Sequence, residues 1–189
     1  MNRSLFAVLL LVLSASASAE EFDYSYIQLD YANIDFDDIN VDGDGLGLSG
    51  SFAINPDWHV FGGYQAADLD FGIDATTFAA GIGYNTELTP VLDMFARLSY
   101  EYIELDAPGA GSFDENGYGF GVGIRFAATP EVELNAGIDY VDYGSGDDDT
   151  GFSAGGFYNF SDAFALGLGG SWSDEISTYT LSGRFYFGR

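Results

Sequence analysis

Residues 117–126 read Gly-Tyr-Gly-Phe-Gly-Val-Gly-Ile-Arg-Phe, so that a large apolar or aromatic side chain stands at every second position. Successive side chains of a β-strand point to opposite faces, so this stretch predicts a strand with one apolar face and one face of small or polar groups. The same two-residue period recurs over residues 45–54 and 178–187. The pattern predicts an all-β protein.

Ten candidate strands follow when this period is traced along the chain. They lie at residues 23–36, 44–54, 58–68, 75–85, 91–105, 117–127, 131–142, 151–160, 164–173 and 177–187. Tight turns are predicted at 55–57, 86–90, 128–130 and 161–163, and they alternate with longer acidic connections at 37–43, 69–74, 106–116, 143–150 and 174–176. An even strand count with short turns at one end predicts a single closed, antiparallel, up-and-down transmembrane β-barrel, with eight strands as the alternative to ten.

The amino-acid composition argues against some classes of function. The 189 residues carry a formal charge of −25, with 30 acidic residues, five basic residues and no cysteine. So acidic a chain repels phosphate backbones, which argues against a nucleic-acid partner. A soluble barrel would turn its polar face to water, but that face here is mostly glycine, serine, alanine and threonine. Such residues suit a barrel interior, and the Leu, Phe and Tyr side chains then face lipid.

The N-terminus has the order of a secretory signal peptide. Arg3 supplies a positive charge, residues 5–13 are apolar, and Ala17-Ser18-Ala19 is a small-residue cleavage triplet. The apolar run is shorter than the roughly 20 residues that a membrane helix needs. We predict a signal peptide at residues 1–19 and a barrel domain at 20–189, with the mature chain starting at Glu20.

Aromatic residues near the predicted strand ends indicate the girdles that mark the two membrane–water interfaces. They are Tyr24, Tyr31, Trp58, Tyr84, Tyr102, Tyr118, Tyr140, Tyr158, Trp172 and Tyr179.

Several short stretches resemble small bacterial outer-membrane β-barrels of the porin-like and OmpA/OmpX-like kinds, over residues 22–187. The stretches are Gly50-Ser51-Phe52, residues 59–64, Gly83-Tyr84-Asn85 and residues 97–101. The resemblance is strongest to small barrels of gamma-proteobacteria described as quorum-related or vesicle-associated. It implies a protein of the Gram-negative outer membrane, inserted by the barrel-assembly machinery and surrounded by lipid and lipopolysaccharide. The oligomeric state stays open, with a monomer favoured. The family's strands usually end on a terminal aromatic residue, whereas here Gly188 and Arg189 follow Phe187.

Three arginines fall at inward positions of their strands: Arg97, Arg125 and Arg184. A charge on the lipid face at mid-membrane would cost about 2–4 kcal/mol, which favours the interior. The predicted acidic partners in the lumen are Asp30, Asp93, Glu101, Glu133 and Asp139. The pattern is compatible with an ion-pair network that fills the lumen or with the selectivity filter of a narrow pore.

Residues 38–44, Asp-Ile-Asn-Val-Asp-Gly-Asp, match the first half of a calcium-binding loop. The candidate ligands for calcium or magnesium are Asp38, Asn40, Asp42 and Asp44. Position twelve is Ser49 instead of the bidentate glutamate of an EF-hand, so the alternative is a solvated acidic turn. No resident cofactor is expected.

His59 is the single histidine, beside the tight turn at 55–57, and the sequence indicates no set of catalytic partners for it. The predicted function is a non-enzymatic barrel with a structural or surface-interaction role. The first alternative is a narrow channel for small solutes or ions. The second is a lipid A-modifying enzyme that uses His59.

Overall fold

The computed structural model describes residues 22–36, 41–144, 148–174 and 176–188. The predicted signal peptide lies outside the described residues. All ten predicted strands are present, which rules out the eight-stranded alternative. The strands are β1 Tyr26–Phe36, β2 Val41–Ala53, β3 Trp58–Leu69, β4 Ile73–Thr89, β5 Leu92–Ala107, β6 Gly111–Ala127, β7 Val132–Asp142, β8 Asp148–Ser161, β9 Phe164–Trp172 and β10 Ile176–Tyr186.

The strands close into one antiparallel barrel in sequence order, because β1 pairs with β2 on one side and with β10 on the other. Tyr26 lies opposite both Ser51 of β2 and Tyr186 of β10. The start of β1 and the end of β10 lie at the level of the short turns, which we take as the periplasmic side. Among the described residues, no helix is long and apolar enough to cross a membrane.

The outer face of the barrel is apolar, as the alternation predicts. Leu48, Leu98 and Leu168 are 56%, 60% and 70% exposed on the isolated chain. A continuous apolar surface of this kind needs a cover, and around a closed barrel that cover is lipid. The inward face carries the small, polar and charged residues.

The extracellular hairpins are longer than the sequence predicts. Residues 106–116 were expected to form a loop, but β5 runs to Ala107, β6 begins at Gly111, and only Pro108–Ala110 lie between them. A strand needs about 9–11 residues to cross a membrane, so the 16 and 17 residues of β5 and β6 extend well beyond it. In the described residues, β6 pairs with β7 only from Tyr118 onward, so Gly111–Gly117 pair with β5 alone.

The connections that follow β3 and β4 also differ from the predicted ones. The expected loop at 69–74 is reduced to a turn at Asp70–Gly72, where Phe71 adopts a positive φ of 63°. The expected tight turn at 86–90 is wrong in extent, because β4 continues to Thr89.

The sequence pattern misled at the extracellular end because the two faces exchange polarity there. Ile34, Val41 and Leu69 are buried in an apolar cluster on the inward face, while Asp44 and Asp68 point outward into solvent. Above the lipid the outer face meets water, so the polar residues belong outside and the apolar ones inside. The strands continue, but acidic residues make them resemble loops.

Candidate functional site

Arg125 and Glu133 form a buried ion pair inside the barrel, near the short turns. Nε and Nη2 of Arg125 donate to Oε1 and Oε2 of Glu133, both at 2.8 Å. The two side chains are only 5% and 4% exposed. Strands β6 and β7 place them two residues apart in register on the same face, with Ala127 opposite Glu133. This two-point geometry is the strong form of an arginine–carboxylate pair.

Arg184 of β10 fills the space beside this pair. Its Nη1 lies 3.9 Å from Oε1 of Glu133, and its Nε donates to Oε1 of Gln28 at 2.8 Å. Its guanidinium carbon lies 4.1 Å from the ring centre of Tyr26 and 3.8 Å from that of Phe157. Aromatic faces stabilise a cation through the ring quadrupole, so Arg184 is held on several sides.

The segment Phe22–Ser25, here called the N-terminal strap, lies beneath Arg125. The Asp23 carbonyl accepts a hydrogen bond from Nη1 of Arg125 at 3.0 Å, and the Phe22 and Tyr24 rings lie 5.1 and 4.6 Å from its guanidinium carbon. Residues 23–25 were predicted as the start of strand one and Tyr24 as a girdle residue. Both predictions are wrong, because Tyr24 is 4% exposed inside the barrel.

Tyr24 also connects the strap to Asp93 of β5, to which its hydroxyl donates at 3.3 Å. Burial raises the pKa of Tyr24, which precedes the first strand, well above its usual range because a charged phenolate is disfavoured there. Tyr24 therefore acts as a neutral donor. Arg125, Glu133, Arg184 and the N-terminal strap together are called the lumen floor below.

His59 is fully buried next to the lumen floor. Its ring stacks on Tyr24 at 4.6 Å, and its Nδ1 lies 3.1 Å from Oδ1 of Asn85. The ring occupies the space that a Cβ at Gly83 would need. Within the described residues, no serine or carboxylate is hydrogen-bonded to His59.

A cavity of about 450 Å³ lies above the lumen floor. Arg97 reaches into it between two rings, with its guanidinium carbon 5.2 Å from the centre of Phe61 and 4.5 Å from that of Phe95. Nε of Arg97 is buried and has no hydrogen-bond partner in the described part of the chain. Asp139 lines the same cavity, and its carboxylate lies over Gly121.

The predicted lumen charges therefore separate into two groups. Arg125, Arg184 and Glu133 meet in the lumen floor, with Asp93 held beside them by Tyr24. The second group lies higher. There Asp30 accepts hydrogen bonds from Gln28 and Ser182, Glu101 accepts one from Ser99, and Arg97 and Asp139 have no ion pair among the described residues.

Sequence reasoning missed the N-terminal strap and Gln28. The alternation assigns Gln28 to the inward face, but nothing in the pattern distinguishes it from its polar neighbours. The strap precedes the periodic part of the chain, so no two-residue signal marks Phe22 or Tyr24 as lumen residues.

The candidate divalent-cation residues lie only partly in the described chain. Asp42 and Asp44 lie on β2, and the Asp42 amide donates to Oδ2 of Asp70 at 3.3 Å. Asp38 and Asn40 fall outside the described residues, so this metal site stays a prediction. In the described ranges, no group of three or more His, Asp or Glu side chains is arranged to hold a metal ion.

Four aspartates form a row around the extracellular end, here called the carboxylate row: Asp44, Asp68, Asp74 and Asp106. Each lies directly opposite the next on the neighbouring strand, from β2 to β5, and all four are exposed. Directly opposed side chains on one face have Cβ atoms about 4.5–5.5 Å apart, so like charges repel there. The pairing therefore produces a concentrated negative surface along these four strands.

These features define a transmembrane β-barrel with a filled periplasmic half and an acidic extracellular rim. Residues 5–160 match the family model described as the outer membrane protein beta-barrel domain, and the chain belongs to that family. The family places it in the Gram-negative outer membrane.

Known structures give the same fold at low identity. The KdgM porin is 11% identical with a TM-score of 0.50, over 85% of this chain and 99% of that one. The NanC porin is 10% identical with a TM-score of 0.50, over 84% and 100%. Ail of Yersinia pestis is 14% identical with a TM-score of 0.44, over 86% and 95%. No curated protein matches the chain. At these identities the two porins show the fold alone.

Proposed function

We propose that this barrel is a non-enzymatic structural and surface-interaction protein of the outer membrane. The observation that carries the proposal is the lumen floor. Arg125 and Glu133 are joined by two hydrogen bonds of 2.8 Å, with the N-terminal strap packed beneath them. A solute that crossed the barrel would have to displace this desolvated ion pair, and separating a buried pair is costly.

The extracellular end supports the surface part of the proposal. The carboxylate row and the long β5–β6 hairpin stand where the polar region of lipopolysaccharide surrounds the barrel. Calcium and magnesium take oxygen ligands, so either cation can join a carboxylate of the row to a lipopolysaccharide phosphate. The proposed partner is therefore lipopolysaccharide bridged by divalent cations.

Planar-bilayer recording tests the closed lumen. We expect the refolded full chain to give no stable unitary current steps. A variant combining Arg125→Ala, Glu133→Ala and Phe22→Ala removes the ion pair and one ring of the strap, and it should produce steps. An Asp57→Asn variant, changed at an exposed turn, should behave as the wild type.

A narrow channel is the second candidate, and the cavity of about 450 Å³ favours it. Stable wild-type steps that disappear when Arg97 or Arg125 is changed would replace our proposal with a channel. We place the lipid A-modifying enzyme last, because His59 faces the lumen at the periplasmic end, away from the outer leaflet. Loss of a lipid A modification in a His59→Ala strain would favour the enzyme.

A growth assay tests the surface role. A strain lacking the protein should become more sensitive to detergent or chelator, and the wild-type gene should restore resistance. A gene in which the four aspartates of the carboxylate row become asparagine should restore less at equal protein level. Full restoration by that variant would contradict a role for the row.

A further inference from the structure

Two groups of opposite charge face the lumen cavity without an ion-pair partner among the described residues. They are the guanidinium of Arg97 and the carboxylate of Asp139. The other charged groups around the cavity are occupied: Arg125, Arg184 and Glu133 by one another, and Asp30 by Gln28 and Ser182. Unpaired charges inside a barrel are unusual, because removing a charge from water is costly unless a partner replaces the water.

Arg97 is positioned to receive a carboxylate. The Phe61 and Phe95 rings lie against its guanidinium, so the side chain is fixed from two directions. The N–H donors of a guanidinium lie in its plane and match the two oxygens of a carboxylate. The buried Nε of Arg97 has no acceptor in the described chain, so the protein leaves the guanidinium incompletely satisfied.

Asp139 faces Arg97 across a single glycine. Arg97 pairs in register with Gly121, and Gly121 pairs with Asp139 on the next strand. The Asp139 carboxylate occupies the space that a side chain at position 121 would need, so it leans toward Arg97 without forming an ion pair with it. A gap therefore separates the two charges within one cavity.

We propose that this gap binds a small zwitterion of the amino-acid type, with its carboxylate on Arg97 and its ammonium group on Asp139. A simple anion on Arg97 would be repelled by Asp139, and a simple cation on Asp139 would be repelled by Arg97. A zwitterion satisfies both groups. The hydroxyl of Ser153 and the amide of Asn135 line the same wall, and about 450 Å³ lies within the range of roughly 300–1,000 Å³ that small-ligand sites occupy.

Isothermal titration of the refolded full chain in detergent micelles tests the proposal. The probes are L-serine, acetate and ethylammonium at matched ionic strength. L-serine should bind saturably, and the two single-charge probes should bind at least tenfold more weakly. Acetate binding as tight as L-serine binding would replace the zwitterion site with an anion site, and no saturable binding of L-serine would overturn the proposal.

Variants locate the site. Arg97→Gln and Asp139→Asn should each weaken L-serine binding at least tenfold, whereas Asp57→Asn, the same change at an exposed turn, should leave the affinity within twofold. Circular dichroism and the unfolding midpoint show whether each variant is folded, and Asp139→Asn carries the test if Arg97→Gln does not fold. Unchanged binding in a folded variant of either residue would contradict the proposal. Because binding is measured without current recording, an open lumen would contradict the proposed function and leave this result standing.

Discussion

The two halves of the lumen are built from the same sheet and the same residue types, but they treat charge differently. In the periplasmic half, Arg125, Arg184 and Glu133 satisfy one another and pack against aromatic rings. Farther from the short turns, Arg97 and Asp139 line one cavity without forming an ion pair between described residues. The alternation of side chains along a strand brings charged residues into the barrel. The side-chain length and the register of each pair then decide whether the two charges form an ion pair or stay apart in a cavity.

The largest expected effect concerns the paired arginine. Arg125→Met removes the two 2.8 Å hydrogen bonds to the buried Glu133 carboxylate, and losing one partner of a buried pair costs about 3–5 kcal/mol. Arg97→Met removes the ring contacts with Phe61 and Phe95 but no ion pair between described residues, and it should cost about 1 kcal/mol. Urea unfolding in lipid vesicles measures both changes. Equal losses would mean that the two halves do not differ in how they hold charge.

Two neighbouring residues of β2 point to opposite faces of the barrel, one to the lipid and one to the lumen, and they test this assignment. Leu48→Arg should lower the free energy of unfolding by about 2–4 kcal/mol, because the charge enters lipid near mid-membrane. Ser49→Arg should cost less, because Ser49 lines the cavity. Val122→Arg and Leu166→Arg should repeat the Leu48 result. The same unfolding assay ranks the variants. A larger loss of stability for Ser49→Arg than for Leu48→Arg would mean that the lumen and lipid faces are assigned the wrong way round.

Substitutions at two inward-facing glycines compare how tightly two parts of the lumen are packed. Gly83→Ala would overlap the buried His59 ring, and overpacking of this kind costs about 1–3 kcal/mol. Gly47 lies in the middle of β2, where a Cβ would meet its nearest atom, on Asp30, at 3.4 Å. Gly47→Ala should change stability by no more than about 0.5 kcal/mol. Thermal unfolding of both variants checks the difference, and a Gly83→Ala protein as stable as the wild type would show that the region around His59 is loosely packed.

The smallest expected effect lies on the carboxylate row. Asp74 stands between Asp68 and Asp106, so Asp74→Asn removes two opposed like-charge pairs. In chelator it should stabilise the barrel by about 0.2–1 kcal/mol. In millimolar calcium the gain should shrink, because the bound cation already relieves the repulsion in the wild type.

The measurement for this row is the unfolding temperature in lipopolysaccharide-containing vesicles, with chelator or calcium at matched ionic strength. Asp57→Asn, at an exposed periplasmic turn without an opposed carboxylate, is the control and should show neither effect. An equal gain for Asp74→Asn under both conditions would argue against cation bridging.

The two-residue period was sufficient to predict ten strands, the closed barrel and the orientation of the lipid face. It succeeded because a membrane enforces one polarity on each face over the length of a crossing. It failed where that constraint ends. Residues 111–116 continue β6 above the membrane, where acidic side chains belong on the outside and apolar ones inside, and the sequence interpretation took them for a loop.

The lumen was predictable only to the level of which residues point inward. Alternation assigns Arg97 and Arg125 to the interior alike, but their different roles depend on distances across strands. Glu133 lies on the neighbouring strand, two residues from Arg125 in register, and reaches it with both oxygens, whereas a whole strand lies between Asp139 and Arg97. A periodic pattern along one strand does not say which side chains of different strands come within hydrogen-bond distance.

The projecting part of β6 has a consequence for encounters between copies of the protein. Because residues 111–117 pair with β5 alone in the described part of the chain, one side of this segment has no strand partner there for its backbone N–H and C=O groups. Such a sheet edge is a template to which another strand can add, and proteins often protect an edge with charge. Asp114 and Glu115 lie in the middle of this one. In a crowded outer membrane, their repulsion keeps two barrels from joining edge to edge, while an extended segment carrying positive charge would meet no such barrier.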